Sequence, residues 1–264
     1  MEWWLGYLAI GAAVGFFAGL LGIGGGAIMV PMLVMLFDAQ DLPREHILHV
    51  AVGTAMATVL FNSIASARAH AALGSIRWDL AGRITPGILV GGLLGSGVAS
   101  VIPRGLFAVL FTGVVYIAAT NILFGRQPSA SRQVPGTVGM FLVGFVISGV
   151  SALGALGGAF ITVPFLMYCN VPMLQAIGTA AAVGFPIGVS GTIGFVLTGW
   201  NATGVPSPSL GYVYLPALAG ILLASVLTAP LGARLAHALP TKRLKQIFAV
   251  VLYLFATRML ISLL

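Results

Sequence analysis

Ten apolar runs, separated by short polar or glycine-rich connections, make up almost the whole chain. Most of them approach or exceed 20 residues, about the length that an α-helix needs to cross a bilayer. Because lipid offers the backbone no hydrogen-bond partners, helices are the expected spanning elements. The pattern therefore predicts an all-α, polytopic membrane protein. The runs cover residues 3–21, 26–37, 46–67, 84–100, 105–124, 136–153, 158–168, 173–199, 212–231 and 246–264.

Composition supports a membrane protein and argues against a soluble one. Of the 264 residues 59% are hydrophobic and 6% are charged, whereas soluble domains carry about 25% charged residues. No Asp, Glu, Lys or Arg occurs between Gln133 and Ala233. The net charge of +7 comes from basic residues in the connections, so we interpret it as a topology signal and expect no nucleic-acid partner.

The runs form two sets of five that resemble each other in sequence. In each set a glycine-rich break separates the first two runs, and the second run is too short to span comfortably. We interpret this as a duplication within one integrated transmembrane domain, with repeats at 1–124 and 136–264 joined by a cytoplasmic linker at 125–135. The matching segments are GGGAIMVP at 24–31 with GGAFITVP at 157–164, VGTA at 52–55 with IGTA at 177–180, and YIAAT at 116–120 with YLFAT at 253–257.

The basic residues predict how the halves are oriented. Placing the connections at 68–83, 125–135 and 232–245 in the cytoplasm puts nine basic residues inside and three outside, as the positive-inside rule prefers. Run 136–168 must then begin and end on the cytoplasmic side, so its glycine break forms a hairpin. The two halves are therefore expected to be inverted, each with a glycine-broken hairpin followed by three spans, and both termini are expected outside.

Broken helices in inverted repeats are typical of secondary transporters, whose substrate lies near the midplane where the breaks meet. A helix that starts inside the membrane has unpaired amides and a partial positive charge at its start, and glycine lets an oxyanion approach those amides. No Asp or Glu lies in any predicted span, so a small anion fits better than a cation. The candidate substrate-binding residues are Gly24, Gly25, Gly26, Gly157 and Gly158, with Gly53, Thr54, Gly178 and Thr179 on the two long helices.

Several residues also allow structural or enzymatic interpretations. The glycines can serve only to kink the chain, and the threonines can bond their own helix backbone. His49 is a candidate for proton coupling, although it can equally sit at the wet interface. Gly188-Val189-Ser190-Gly191 matches the GxSG pattern of rhomboid intramembrane proteases, but a serine protease needs a partnered base, and His237 is poorly placed for that role.

The segments GFFAGLLGIGGGAIMVPML, GALGGAFITVPFL and APLGARLAHALPTKRLKQIFAVVLYLFATRML, with the paired GTA motifs, resemble the TauE/SafE sulfite exporter family. The similarity runs through nearly the whole chain. It implies export of sulfite or related sulfur-containing anions, including organosulfonates, across the bacterial inner membrane. At position 159 the second half has Ala where the first has Gly26, so the two helix starts need not be equivalent.

We therefore expect a secondary transporter, not an enzyme, that exports the anion by alternating access. An anion-selective channel is the alternative, and an intramembrane serine protease is the third hypothesis. The expected partners are a small sulfur-containing anion, with sulfite first, and the lipid bilayer, and a homodimer is compatible with the sequence. Neither a cofactor nor a metal ion is expected.

Overall fold

The computed structural model describes residues 3–21, 25–124, 133–238 and 241–263, and within these ranges it is almost entirely helical. Its helices follow the ten apolar runs in order, which confirms the predicted all-α polytopic fold. They are α1 (Trp3–Leu21), α2 (Gly26–Ala39), α3 (Ile47–Ala72), α4 (Trp78–Val101), α5 (Arg104–Phe124), α6 (Thr137–Gly154), α7 (Ala159–Tyr168), α8 (Met173–Gly199), α9 (Leu215–Ala238) and α10 (Thr241–Leu263).

The helices differ from the apolar runs mainly at their polar ends. Helix α4 begins at Trp78, before the apolar run starts at residue 84, and it takes in Asp79 and Arg83. Polar residues at a membrane surface can remain helical because only the hydrocarbon region demands apolar side chains. The run at 212–231 starts in a short antiparallel hairpin that the sequence did not predict, formed by β1 (Ser209–Leu210) and β2 (Val213–Tyr214).

Helix length separates spanning from non-spanning elements. Among the described residues, α3, α4, α5, α6 and α8 are long and apolar enough to cross a membrane. Helix α2 has 14 residues and α7 has 10. At about 1.5 Å per residue they measure roughly 21 and 15 Å, against a hydrocarbon thickness of about 30 Å. Neither short helix reaches across.

Each short helix returns the chain to the end of the molecule from which it came. In the first half, Tyr7 Oη near the start of α1 donates to Gln40 Oε1 just after α2, at 2.9 Å. In the second half, α6 starts beside the start of α4. Helix α7 ends shortly before α8, and Thr179 near the start of α8 bonds the backbone of Arg77, which also lies at the start of α4. Both pairs are hairpins that turn within the bundle.

Two pairs of parallel helices pack backbone to backbone through glycine. A Cβ atom built on Gly87 would lie 1.9 Å from the carbonyl oxygen of Phe141, and one on Gly91 would lie 2.2 Å from that of Phe145. Helices α1 and α9 show the same packing, because a Cβ atom on Gly11 would lie 2.5 Å from the carbonyl oxygen of Ile221. Small residues permit this close approach, which supplies van der Waals contact that lipid cannot supply.

The two long helices α3 and α8 cross at the centre in opposite directions. Gly188 of α8 meets Leu60 of α3, and Gly184 meets Ser63. The outer pair α5 and α10 is joined by hydrogen bonds between Tyr116 and Thr257 and between Thr120 and Tyr253, which belong to the matched YIAAT and YLFAT segments. Contacts at the centre and in the outer helix pair thus connect the two halves.

We predict that Gly91→Ala destabilises the protein by about 1–3 kcal/mol, the cost of forcing a group into a filled contact. The added methyl group must displace the backbone of α6. Gly97→Ala is the matched control, because it lies on the same helix and a Cβ there meets nothing within 4 Å. The measurement is the thermal midpoint in detergent. Equal midpoints for the two variants would contradict the glycine-packing account.

Candidate functional site

Each glycine break contains one position with a backbone conformation that only glycine adopts easily. Gly25 precedes α2 with φ 66°, and Gly158 precedes α7 with φ 74°. A side chain at such an angle crowds its own backbone. The same left-handed turn therefore starts the short helix in each half. Gly24 lies outside the described residues, so the structure does not place it.

Each break exposes the positive end of a helix inside the bundle. The carbonyl of Gly25 accepts from the amides of Ile28 and Met29, and that of Gly158 accepts from Ile161 and Thr162. The preceding amides have no earlier helical carbonyl to bond. No backbone carbonyl among the described residues accepts from them. They belong to Gly26 and Ala27 of α2 and to Ala159 and Phe160 of α7.

The start of α2 lies against the second break, near the central crossing. A Cβ atom on Gly26 would lie 2.0 Å from the carbonyl oxygen of Ala155, the residue that caps the end of α6. The carbonyl oxygen of Gly157 would lie 3.5 Å from a Cβ atom on Gly184, and Gly158 faces Ile187. Gly25, Gly26, Gly157 and Gly158 are thus brought to one region, and in this conformation the chain packs closely there.

Three buried hydroxyl groups flank the second break without hydrogen-bond partners among the described residues. They belong to Ser148 and Ser151 near the end of α6 and to Thr162 in the first turns of α7, and all three residues are 0% exposed. Other hydroxyls on these helices behave differently: Thr58, for example, donates to the carbonyl four residues earlier. Buried polar groups are usually satisfied. These three are not, and they lie on the two helices that the second break joins. The Ser148 hydroxyl faces Gly92 of α4, whereas Ser151 and Thr162 are closer in the chain to the break itself.

These three residues were not among those that the sequence predicted for the site. The signal was present in the repeat: Thr162 aligns with Met29, so an apolar side chain in one half is replaced by a hydroxyl in the other. Nothing in the sequence showed that this hydroxyl is buried and unpaired. No group of three or more His, Cys, Asp or Glu that could hold a metal ion occurs in the described part of the chain. The donors at the breaks are neutral.

The two Gly-Thr pairs occupy other places in the molecule. The Thr54 hydroxyl oxygen accepts from the amide of Tyr214, just before α9, at 3.0 Å. The Thr179 hydroxyl oxygen accepts from the amide of Arg77, just before α4, also at 3.0 Å. Thr179 is eight residues from Ile187, which contacts Gly158, and this corresponds to roughly 12 Å along α8. The threonines do not lie at the breaks.

The glycine of each pair makes room for the backbone that its threonine binds. A Cβ atom on Gly53 would lie 2.6 Å from the carbonyl oxygen of Tyr212, and one on Gly178 would lie 2.4 Å from that of Ser75. We call these contacts the Thr54 latch (Gly53, Thr54 and 212–214) and the Thr179 latch (Gly178, Thr179 and 75–77). Each latch ties a long central helix to the segment that precedes a spanning helix.

His49 is buried near the Thr54 latch and has one unused nitrogen. Its Nε2 lies 3.1 Å from the carbonyl oxygen of Ala99, and the residue is 3% exposed. Because a carbonyl only accepts, Nε2 carries the hydrogen and Nδ1 carries the lone pair. That Nδ1 is buried without a partner in the described chain, and the ring lies beside Phe107 and Tyr212. His49 is buried and not at a wet interface.

The Ser190 hydroxyl bonds its own helix backbone, as a structural serine does. It donates to the carbonyl of Pro186 at 2.9 Å, one turn earlier on the same helix. The side chain of His237 lies outside the described part of the structure, so the geometry of a serine–histidine pair is not described. The single Cys169 is buried, and its burial raises the pKa of the thiol, which suits a small apolar filler.

Comparisons with known proteins agree with this architecture. The family model described as sulfite exporter TauE/SafE matches residues 7–259. A probable membrane transporter protein of Haemophilus influenzae is 36% identical, and the alignment covers 97% of both chains. Probable membrane transporter proteins of Methanocaldococcus jannaschii and Bacillus subtilis are 26% and 27% identical, covering 96% and 88% of this chain and 94% and 90% of theirs.

No solved structure matches the chain. The family match extends over both predicted repeats and all ten helices, and the relatives span the same length. Their names indicate a membrane transporter and not an enzyme. The chain therefore belongs to the sulfite exporter TauE/SafE family of membrane proteins.

Proposed function

We propose that this protein exports sulfite or a related small sulfur-containing anion across the cell membrane, by alternating access at a site between the two glycine breaks. The carrying observation is a set of donors there that lack partners among the described residues, namely the first amides of α2 and α7 and the buried hydroxyls of Ser151 and Thr162. The family name supports the choice of substrate class.

The chemistry of the donors fits an oxyanion. Amide and hydroxyl groups donate to oxygen without carrying a full charge, and the partial positive charge of two helix ends favours an anion. A fixed arginine at the same depth would hold the anion more tightly and slow its release. Neutral donors suit a transporter, because the substrate must leave after each turnover.

Inverted halves supply the motion that such a site needs. We propose that the two latches control access from opposite ends, since each ties a central helix to the segment before α9 or before α4. Both hydrogen bonds are present in this conformation, which we assign in the proposed cycle to a state with both latches closed. Opening either latch alone would connect the site to one side of the membrane.

Orientation follows from the positive-inside rule. We propose a multi-pass protein of the cell membrane, the inner membrane in bacteria, with both termini outside, the Thr179 latch toward the cytoplasm and the Thr54 latch outside. His49 then lies near the outer latch, where the lone pair of its buried Nδ1 makes it the candidate for proton coupling. If sulfite flux is the same at all pH values and drives no proton movement, His49 has no coupling role.

An anion channel is the second candidate, because the same donors could line a pore. We favour a transporter, because the similar proteins are named probable membrane transporter proteins. Counterflow separates the two. Vesicles that contain a transporter and are loaded with unlabelled sulfite accumulate labelled sulfite transiently. Vesicles that contain a channel only lose the sulfite gradient.

The first prediction concerns substrate choice. Calorimetry on purified protein should show sulfite binding preferentially over sulfate, chloride and taurine, because three pyramidal oxygens match convergent neutral donors. Proteoliposomes should show saturable efflux with counterflow. Binding of a larger sulfonate in place of sulfite would move the proposal to that substrate, whereas folded protein that binds none of these anions would contradict it.

The second prediction separates a ligand from a packing residue at Thr162. Thr162→Val should weaken sulfite binding about tenfold or more, since a hydrogen bond to a charged group is lost. Thermal stability without substrate should be unchanged or higher, because an unpaired buried hydroxyl is removed. Thr112→Val is the control, as it removes another buried, unpaired hydroxyl on α5. Equal sulfite affinity in both variants would exclude Thr162 from the site.

The third prediction tests the latches. Thr54→Val and Thr179→Val should change equilibrium sulfite affinity by less than about threefold, because neither hydroxyl lies at the breaks, yet each should slow sulfite exchange. Each variant leaves one partly buried amide unpaired, at a cost of up to about 1–3 kcal/mol. The measurements are calorimetry and exchange on the same preparations. A tenfold or greater loss of affinity in either variant would return its threonine to the binding site.

A further inference from the structure

A continuous apolar groove lies on the outside of the bundle, where α3, α4 and α8 meet. Two adjoining cavities of about 380 Å³ each form it, and both are lined by Trp78, Ala182 and Phe185. One extends along α4 to Leu89, and the other reaches Arg68 of α3. None of these residues belongs to the glycine breaks or to the latches.

The length of the groove matches one leaflet of a bilayer. Trp78 and Leu89 are eleven residues apart on one helix, which corresponds to about 16 Å. Half of a hydrocarbon core of about 30 Å is roughly 15 Å. Trp78, at the start of α4, is 63% exposed, and tryptophan is enriched at the membrane–water interface. The groove thus runs from the headgroup level toward the midplane, as an acyl chain does.

The interfacial end of the groove carries an uncompensated positive charge. Arg68 lines the cavity and forms no ion pair with any described residue. Asp79 is the acid at this end of the described chain, and the Arg77 guanidinium already binds both of its oxygens, at 2.8 and 2.9 Å. A negatively charged group therefore finds a free arginine at the groove, with no competing carboxylate.

The wall of the groove also contains two carbonyls that lack the usual helical donor four residues later. Pro86 and Pro186 lie inside α4 and α8, and proline has no amide to give to the carbonyl four residues earlier. Those carbonyls belong to Gly82 and Ala182, and both residues line the groove. In a lipid-facing position such groups need a donor. Among the described residues the groove thus combines an apolar trough, an arginine without an ion pair, and two carbonyls that lack their usual helical donor.

We propose that this groove binds one anionic phospholipid of the bilayer, with an acyl chain along Phe185 and Leu89, the phosphate at Arg68, and headgroup hydroxyls at the carbonyls of Gly82 and Ala182. Phosphatidylglycerol has this chemistry, because it combines a phosphate anion with glycerol hydroxyl donors. The lipid lies between α4 of one half and α8 of the other, so it contacts both of these packed helices.

Native mass spectrometry of the purified full chain tests the proposal, with phosphatidylglycerol and phosphatidylcholine of identical acyl chains as probes. The wild type should bind phosphatidylglycerol about fivefold more tightly or better, the contribution of one basic residue near a charged headgroup. Arg68→Gln should remove that preference. Arg104→Gln, which removes an arginine at the opposite end of the molecule, should retain it.

Gly82→Leu tests the trough separately from the charge. A Cβ atom at Gly82 meets nothing within 4 Å, so leucine fills the groove without displacing the backbone. It should weaken binding of both lipids at this site, whereas Gly97→Leu, at another open position on the same helix, should not. Unchanged phosphatidylglycerol binding in Gly82→Leu, or a preference that survives Arg68→Gln, would overturn the proposal. If the Gly82→Leu variant does not elute as a single species, the result for Arg68→Gln alone decides the proposal.

Discussion

The whole structure depends on how backbone hydrogen bonds are satisfied in a medium that offers none. An unbroken helix satisfies itself, and α3, α4, α5, α6 and α8 follow that solution across the hydrocarbon region. The short helices α2 and α7 do not cross as unbroken helices, because each starts inside the bundle after a left-handed glycine. No backbone carbonyl among the described residues accepts from their first amides. In the proposed function a transported oxyanion is the acceptor for these amides.

Close helix packing makes this arrangement possible. The parallel pairs α1 with α9 and α4 with α6 approach so closely that glycine is needed at successive turns. Each pair joins the first helix of a hairpin, α1 or α6, to a helix of the other half, α9 or α4. In the proposed mechanism these pairs move as rigid bodies, and the two latches sit at the joints where a central helix meets the next segment. Matched hydrogen bonds at opposite ends are what an inverted duplication would produce.

Sequence was sufficient for the fold because the bilayer imposes a simple rule on every element. Apolar runs, glycine breaks and their repetition predicted the ten helices in order, and only the short β-hairpin before α9 and the polar helix ends were missed. The extension of α4 to Trp78 was missed because hydropathy marks the hydrocarbon boundary and not the end of the helix.

The site was less accessible from sequence. The repeated motifs drew attention to Gly25 and Gly158, whose left-handed angles explain why glycine is needed, and their role in substrate binding stays a prediction. The same logic grouped Thr54 and Thr179 with them, although their hydroxyls accept from backbone amides elsewhere. Ser148 and Ser151 were overlooked, because a serine that bonds its own helix and one that lacks any partner look identical in a sequence. Only packing and hydrogen-bond geometry distinguish them.

The most direct test of the central claim is to locate a bound oxyanion. Selenite has the pyramidal shape of sulfite and scatters X-rays anomalously, so crystals of the protein soaked with selenite would give its position. The account predicts a selenium peak between the glycine breaks, within hydrogen-bond reach of the first amides of α2 or α7 and of the Thr162 hydroxyl. A peak only at surface arginines, in a protein shown to bind sulfite, would contradict it.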